Sequence, residues 1–276
     1  MSLFRGGKAM IEKSKIRPHL SPSQISTYLR CGEMWRRRYI EGEIIPPGIT
    51  LIKGRSIHTG AEINHRQKIE SHRDMKKKDI IEISVNDVET IKAEDGYSLT
   101  EEEQGIGAAK VLGQAKDRIA VIAGLYMDEV APTIQPVLVE ETFRIELPGG
   151  SHDLLGRIDY CDDQQRVGDI KTASKSKNQA DIDNSDQMTF YHLAYQSRFG
   201  HPPAGLRMDV LVDKKVPAAQ FLTSTRDEQD YEILINKINA VLAGLKAGIF
   251  LPAPENSWIC SKKFCGYAPS CRFFRK

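Results

Sequence analysis

The stretch Gly156-Arg-Ile-Asp-Tyr-Cys-Asp-Asp-Gln-Gln-Arg-Val-Gly-Asp-Ile-Lys171, continued by Asp186-Gln-Met-Thr-Phe-Tyr191, decides how this chain is read. Residues Leu155 to Cys161 alternate, with Ile158 and Tyr160 opposed to Arg157, Asp159 and Cys161. Asp162 to Gln165 is a polar turn, and Arg166 to Thr172 is a second short strand. Strand, tight polar connection and strand predict a β-hairpin. Pairing across that turn brings Asp159 near Asp169. Asp169 and Lys171 are two apart and so share one face of the second strand, while Ile170 points the other way into a core.

Two carboxylates and an ammonium on one face suit a particular chemistry. A phosphodiester repels hydroxide, and its leaving oxygen needs charge stabilisation. Mg²⁺ or Mn²⁺ held by carboxylates polarises the phosphate and lowers the pKa of a bound water. A nearby lysine orients that water or stabilises the developing charge. The plain alternative is a surface hairpin with solvated acids, because a lone D-x-K is common. The next helix, Asp186 to Phe199, sets Gln187, Tyr191 and Tyr195 on one stripe at spacing four, with Ala194 close by. The tyrosines read plainly as core aromatics and Gln187 as a solvated polar residue. Read functionally, Gln187 and Tyr191 form a polar edge facing the strand and a phosphate.

The order G-x-I-D, D-x-K, Q-x-x-x-Y resembles the PD-(D/E)XK nuclease superfamily, and within it the RecB-like exonucleases. His58, in Lys53-Gly-Arg-Ser-Ile-His-Thr-Gly60 at the opening of a helix, stands where that branch carries a histidine as an additional metal ligand. Glu140 or Glu141, in Val-Leu-Val-Glu-Glu-Thr-Phe143, matches a glutamate on the preceding strand. Glu140 is preferred because it stands three before Phe143. A one-residue slip would turn the side chain to the other face. The resemblance implies that His58, Asp159, Asp169 and the Ile170 carbonyl bind the divalent metal. It implies that Lys171 is the catalytic lysine, that Gln187 and Tyr191 position substrate or the lysine, and that Glu140 supports the site. Ile158 replaces the proline of the signature.

The cysteines are Cys31, Cys161, Cys260, Cys265 and Cys271, the last three in a C-x4-C-x5-C run near the chain end. Met1 to Met10 carries charges but no apolar core segment, which predicts a cytoplasmic, reducing location without disulfides. Four thiolates suit zinc or an iron–sulfur cluster. Zinc sites usually show paired short loops, and this spacing is longer and lopsided. AddB-type nucleases and their CRISPR-associated relatives pair one N-terminal cysteine with three C-terminal ones around a [4Fe–4S] cluster. Leu20-Ser-Pro-Ser-Gln-Ile-Ser-Thr-Tyr-Leu-Arg-Cys31 resembles their opening helix, with Gly32 where a proline is usual. The resemblance therefore implies a [4Fe–4S] staple at Cys31, Cys260, Cys265 and Cys271, with zinc as the alternative. Cys161 reads as a packing residue.

The net charge is only +2, so affinity for nucleic acid must come from local patches. Arg30 and Arg36 to Arg38 lie beside Trp35 and Tyr39. Lys53 and Arg55 precede His58, and Lys171, Lys175 and Lys177 follow the hairpin. Lys262, Lys263, Arg272, Arg275 and Lys276 surround the tail cysteines. Each is more often a solvated face, but their recurrence favours a basic channel. No apolar run approaches the ~20 residues needed to span a membrane.

The expected fold class is α/β: a restriction-endonuclease-like core with a central mixed sheet flanked by helices, an N-terminal helical region and a cysteine-rich tail. Residues 1–19 read as disordered or as a cloning remnant, and 20–276 as one nuclease domain. Within it, 66–135 is a helical insertion, 136–225 the catalytic core, and 252–276 the tail pairing with Cys31. One helix is expected from a Ser21 or Ser23 cap to about Ile40, a second from Ser56 to His72, and a third from Glu101 to Val130. Met75 to Glu103 reads as short helices or a flexible lobe. Strands are expected at Pro136–Leu147, Leu154–Cys161, Arg166–Thr172, Leu206–Val212 and Ala219–Thr223, with a last helix from Arg226 to Ala247. The functional expectation is a metal-dependent DNA exonuclease acting on ends or single strands, in recombination, repair or phage- or CRISPR-type processing. A recombination or repair protein is the expected partner, and nothing in the sequence specifies an oligomer. A second reading is a non-catalytic DNA-binding or recombination-partner subunit on a nuclease scaffold. A third is a zinc-binding structural domain with an incidental D-x-K.

Overall fold

A computed structural model describes residues 19–146 and 152–274. The expectations for residues 1–18, for the strand end at Leu147 and for Arg275 and Lys276 lie outside the described residues. The chain forms two compact units. One takes Met1–Ile44, Ile145–Leu155 and Glu228–Lys276; the other takes Ile45–Arg144 and Gly156–Asp227.

The second unit holds the hairpin. Its strands are β2 (Pro136–Ile145), β3 (Asp153–Asp162), β4 (Arg166–Ala173), β5 (Gly205–Val212) and β6 (Ala218–Ser224), once β1 (His19–Leu20) is counted in the first unit. Strand order is β1-β3-β4-β5-β6, with β2 also paired to β3. β3 and β4 are antiparallel, β4 and β5 parallel, and β5 and β6 antiparallel, so the sheet is mixed as expected. Val167 to Ile170 are all buried, so β4 is covered on both faces. On one face, Tyr160, Ile170 and Leu211 join the core of α3 (Ile49–Ser71), α4 (Lys77–Asp95) and α6 (Ala108–Leu125), named here past α1 (Pro22–Arg30), α2 (Gly32–Tyr39) and α5 (Glu101–Ile106). The short α7 (Gln179–Asp183) and then α8 (Asp186–Phe199) follow β4, and α8 has the bounds the sequence predicts.

The hairpin turn is tighter than its polarity suggests. Asp162 is buried, and its carboxylate accepts from the amides of Gln164 (3.1 Å) and Arg166 (2.9 Å) and from Arg166 Nε (2.7 Å). It anchors the turn from within. Gly168 faces Tyr160 in register, and a Cβ there would lie 1.8 Å from the tyrosine ring. That space lets the Tyr160 hydroxyl donate to Asp209 Oδ2 at 2.5 Å, and Asp209 also accepts from Arg207 Nε at 2.7 Å.

Several helix boundaries differ from expectation. α3 begins at Ile49, directly after Gly48, so His58 sits in the helix interior and does not open it. Met75 to Glu103 contains the 19-residue α4, whose Ile80, Ser84, Val88 and Ile91 are buried. The predicted helix from Glu101 to Val130 is broken at Gly107, whose φ of +95° ends α5 and starts α6. A single π-turn, Tyr126–Val130, then leads to a 3-10 turn at Ala131–Thr133.

The first unit packs α1 and α2 with α9 (Glu228–Ala247) and the tail. β1 pairs in parallel with the start of β3. Ser21 caps α1 through Gln24 N at 3.2 Å, with Pro22 in the first turn. The single helix expected through Ile40 is instead two, because Cys31 is extended and its Sγ accepts from Met34 N at 3.4 Å to cap α2. The cause is tertiary. Segment Phe250–Leu251 passes so close to Gly32 that a Cβ there would meet Leu251 N at 2.9 Å, and Leu251 O accepts from Glu33 N at 3.2 Å.

Candidate active site

Asp159 lies beyond the last ladder pair between β3 and β4, Tyr160 with Gly168. There Asp159 Oδ2 accepts from Ile170 N at 3.0 Å, so a side chain replaces a ladder partner and is fixed by doing so. Its neighbour across the hairpin, Asp169, is fully buried. Asp169 Oδ1 accepts from Lys171 Nζ at 2.9 Å and from Gln187 Nε2 at 3.2 Å. Gln187 Oε1 in turn accepts from Lys171 Nζ at 3.1 Å, and its Nε2 donates to the Tyr191 hydroxyl at 2.6 Å. Gln187 thus faces the hairpin, Tyr191 backs it, and Ala194 and Tyr195 are buried core. Phe190, on the same helix, fills the space over Gly156, where a Cβ would come 2.3 Å from its ring.

A second set meets the first at Asp159. His58 Nδ1 lies 3.4 Å from Asp159 Oδ2. Ligand atoms of His58, Glu140 and Asp159 all lie within 4.8 Å of one another. Glu140 reaches this point because its backbone is left-handed, at φ +51°. Along β2, Pro136 is buried and Val137 exposed, whereas Val139 and Phe143 are buried, so the parity of burial changes before Glu140 is reached. The positive φ of Glu140 within a strand is the kind of backbone irregularity found next to active sites. Glu141 instead lies 3.4 Å from Arg198. Arg157, the residue between Gly156 and Ile158, pairs with Glu140 at 2.5 Å. That contact is not readable from the sequence, since it depends on how β2 lies against β3.

Electrostatics follow from crowding. Burial, and then the charge of Asp159, push Glu140 up to about 7 against the pull of Arg157. Burial pushes Asp169 up as well, Asp159 adds to it, and Lys171 opposes both. Burial works against the Lys171 ammonium, but Asp169 and Asp159 outweigh it and hold the lysine charged. Burial sends the Tyr191 phenol far up, so it remains a neutral hydrogen-bonding group.

The sequence profile of the PD-(D/E)XK nuclease superfamily matches residues 19–272. The chain belongs to the PD-(D/E)XK nuclease superfamily. Among solved structures, a candidate exonuclease from Eubacterium rectale aligns with 100% of this chain and 96% of its own, at 14% identity and a TM-score of 0.56, a likeness of fold. The structure of SSO0001 aligns with 95% of this chain and 89% of its own at 13% identity, with a TM-score of 0.42. No curated protein shows a significant match.

PD-(D/E)XK nucleases act on DNA with divalent metal ions, and the residues here fit one. His58, Glu140 and Asp159 supply an imidazole and two carboxylates, a donor set suited to a divalent cation. Asp169 Oδ2 is buried with no hydrogen-bond partner, an orphan acceptor beside that set. Asp169 does not join the three atoms that lie within 4.8 Å; its other oxygen is engaged by Lys171 and Gln187.

Away from this site, Cys31, Cys260, Cys265 and Cys271 line one pocket with Arg37 and Tyr267. Burial raises the Cys265 thiol pKa, and the thiols of Cys31, Cys271 and Cys260 raise it further. Arg37 ties the tail to α2: it donates to Tyr267 O (3.3 Å), Ser270 Oγ (2.7 Å) and Glu43 (2.6 Å), and lies over the Tyr267 ring. Cys161 is buried, and burial pushes its thiol up to about 12, leaving it inert. The basic residues beside the motifs are largely neutralised. Arg36 pairs with Glu33 and Glu41, Arg37 with Glu43, Lys53 with Asp213 and Arg55 with Asp95. Among the described residues no helix is long and apolar enough to cross a membrane.

Proposed function

We propose that this chain is a Mg²⁺- or Mn²⁺-dependent DNA exonuclease of the RecB-like branch. What carries the reading is the junction at Asp159, where the His58–Glu140–Asp159 set meets the hydrogen-bonded chain Asp169–Lys171–Gln187–Tyr191. His58, Asp159, Asp169 and the Ile170 carbonyl would hold the cation, with Glu140 as a further ligand or support. When bound, the cation supplies phosphate polarisation and a water of lowered pKa. Lys171 places a fixed positive charge beside the scissile phosphate and holds the attacking water through its ammonium protons. Gln187 keeps that ammonium from swinging towards solvent. Ile170 N holds Asp159 in place without drawing on a mobile side chain.

The four-cysteine pocket is the place for the [4Fe–4S] staple that the resemblance to AddB-type nucleases implies, with zinc as the alternative: Cys31, Cys260, Cys265 and Cys271 line it together. The setting that suits such a protein is recombination, repair or the processing of phage or CRISPR-type DNA.

The test is digestion of end-labelled linear DNA and closed circular DNA with Mn²⁺. Linear DNA should be degraded, the circle should resist, and chelator should stop the reaction. A circle cut as fast as linear DNA removes the exonuclease reading, and no hydrolysis with either metal removes the enzyme.

A further inference from the structure

We infer that the cysteine tail carries a stacking platform for single-stranded DNA, with Trp258 and Phe264 as its aromatic members. The inference rests on the DNA-nuclease reading above and adds a subsite to it.

The chain has two tryptophans, and they are placed oppositely. Trp35 is 1% exposed and stacks on Phe250, whereas Trp258 is 66% exposed. Phe264 is 55% exposed and stands edge-on to Trp258, ring centroids 5.0 Å apart and planes at 88°. Two large aromatic rings held together in solvent are costly unless something covers them. Their surroundings say what. Lys263 Nζ lies 5.8 Å from the centre of the Phe264 ring, and Arg272 lies 4.6 Å from the Phe273 ring on the same tail. Arg272 also leans towards Glu33, at 3.9 Å.

The sequence around these rings is basic. From Glu255 to Lys276 it holds Lys262, Lys263, Arg272, Arg275 and Lys276 against one acid, Glu255, in a chain whose net charge is only +2. Exposed aromatic rings interleaved with cations match a polyanion whose flat groups are accessible. In a duplex the base faces are stacked and hidden; in a single strand they are open to a tryptophan face, while lysines take the phosphates. A protein partner would equally cover aromatic rings, but the excess of cations over acids in this segment favours the phosphate backbone.

The measurement is binding of a dT oligonucleotide of about 20 residues to the intact protein in chelator, where hydrolysis is off. Trp258 is the exposed indole, so oligonucleotide should quench emission in a saturable, salt-sensitive way. By anisotropy of labelled dT, Trp258→Ala and Phe264→Ala should each weaken binding about tenfold without moving the thermal midpoint. Lys262→Gln with Lys263→Gln should lower the slope of log K against log salt by about 1.4. A Trp258→Ala protein that binds dT as tightly as the parent overturns the platform. So does quenching that grows with protein concentration alone, which would mean that a second copy covers the rings. Cleavage with unchanged dT affinity in Trp258→Ala would sink the platform and leave the nuclease. Binding through Trp258 in a protein that never cleaves would sink the nuclease and leave the platform.

Discussion

The carboxylate site and the cysteine pocket both gather side chains from distant parts of the chain, but they are built from opposite materials. The first stands on β3, β4, α3 and α8, and hydrogen bonds already close around Asp169, Lys171, Gln187 and Tyr191. The second hangs largely on turns between Ser257 and Phe274, held by short-range backbone bonds such as Cys260 N to Ser257 O and Cys265 N to Ser261 O. Of its sulfurs, Cys31 accepts from Met34 N, and all four line one pocket. The fold itself supplies the first geometry, and the proposed cluster would supply the second. Removing a ligand should therefore cost folding at the pocket and chemistry at the hairpin.

Replacing Cys265 by Ser sharpens that contrast most. The proposed staple, joining Cys31 to the tail across roughly 230 residues, would contribute about 5 kcal/mol by loop-closure entropy. The variant should lose iron, sulfide and visible absorbance together, and its unfolding free energy should fall by most of that amount. A colourless parent with stoichiometric zinc, or a variant as stable as its parent, would break the comparison at this end.

Lys171→Ala should do the reverse. Loss of a charge aimed at the transition state costs about 10³-fold in kcat, while circular dichroism and metal content should stay those of the parent. Undiminished cleavage would remove Lys171 from the chemistry.

A third change probes the scaffold beneath the hairpin. His65 is buried between Tyr126 and Tyr160, and its Nε2 has no hydrogen-bond partner. Burial, with Lys68 next, lowers its pKa from 6.5 to about 3. The unfolded chain takes up this proton below 6.5 and the folded one does not until about 3. The neutral histidine therefore contributes stability that is fully present above pH 6.5 and is lost as pH falls towards 3. Between pH 7 and pH 5 this group alone should remove about 2 kcal/mol. In urea titrations at the two pH values, His65→Phe should lose that much less than the parent; equal losses would contradict the assignment.

What the sequence disclosed follows the range of each interaction. Asp159, Asp169 and Lys171 were legible because a hairpin with a short turn has period two and little freedom. Gln187 and Tyr191 were legible because spacing four on a helix defines an edge. Glu140 could not be separated from Glu141 on pattern alone, since its left-handed backbone sits at a residue that is not glycine. The break at Cys31 was hidden because its cause, Leu251, is some 220 residues away. α4 was hidden because Ile80, Ser84, Val88 and Ile91 include a serine and stand among charges. His58 was placed at a helix start because Gly54 and Ser56 dilute the pattern of a helix already running from Ile49.

The smallest expected effect tests how self-sufficient the hydrogen-bonded site is. Gln187 could present its amide either way round, but only one way works. As placed, Oε1 faces the Lys171 ammonium and Nε2 faces the Asp169 carboxylate. Turned over, an NH₂ would meet the ammonium and a carbonyl would meet the carboxylate, two repulsions at once. The Tyr191 hydroxyl, accepting from Nε2, adds a third contact to an orientation the two charges already fix. Tyr191→Phe should therefore cost about 1 kcal/mol, roughly fivefold in kcat, with KM unchanged. Gln187→Glu should cost far more, because it sets a second carboxylate against Asp169 and competes for Lys171. If Tyr191→Phe proved the more damaging of the two, the charges would not be what orients the amide, and the site would depend on its tyrosine.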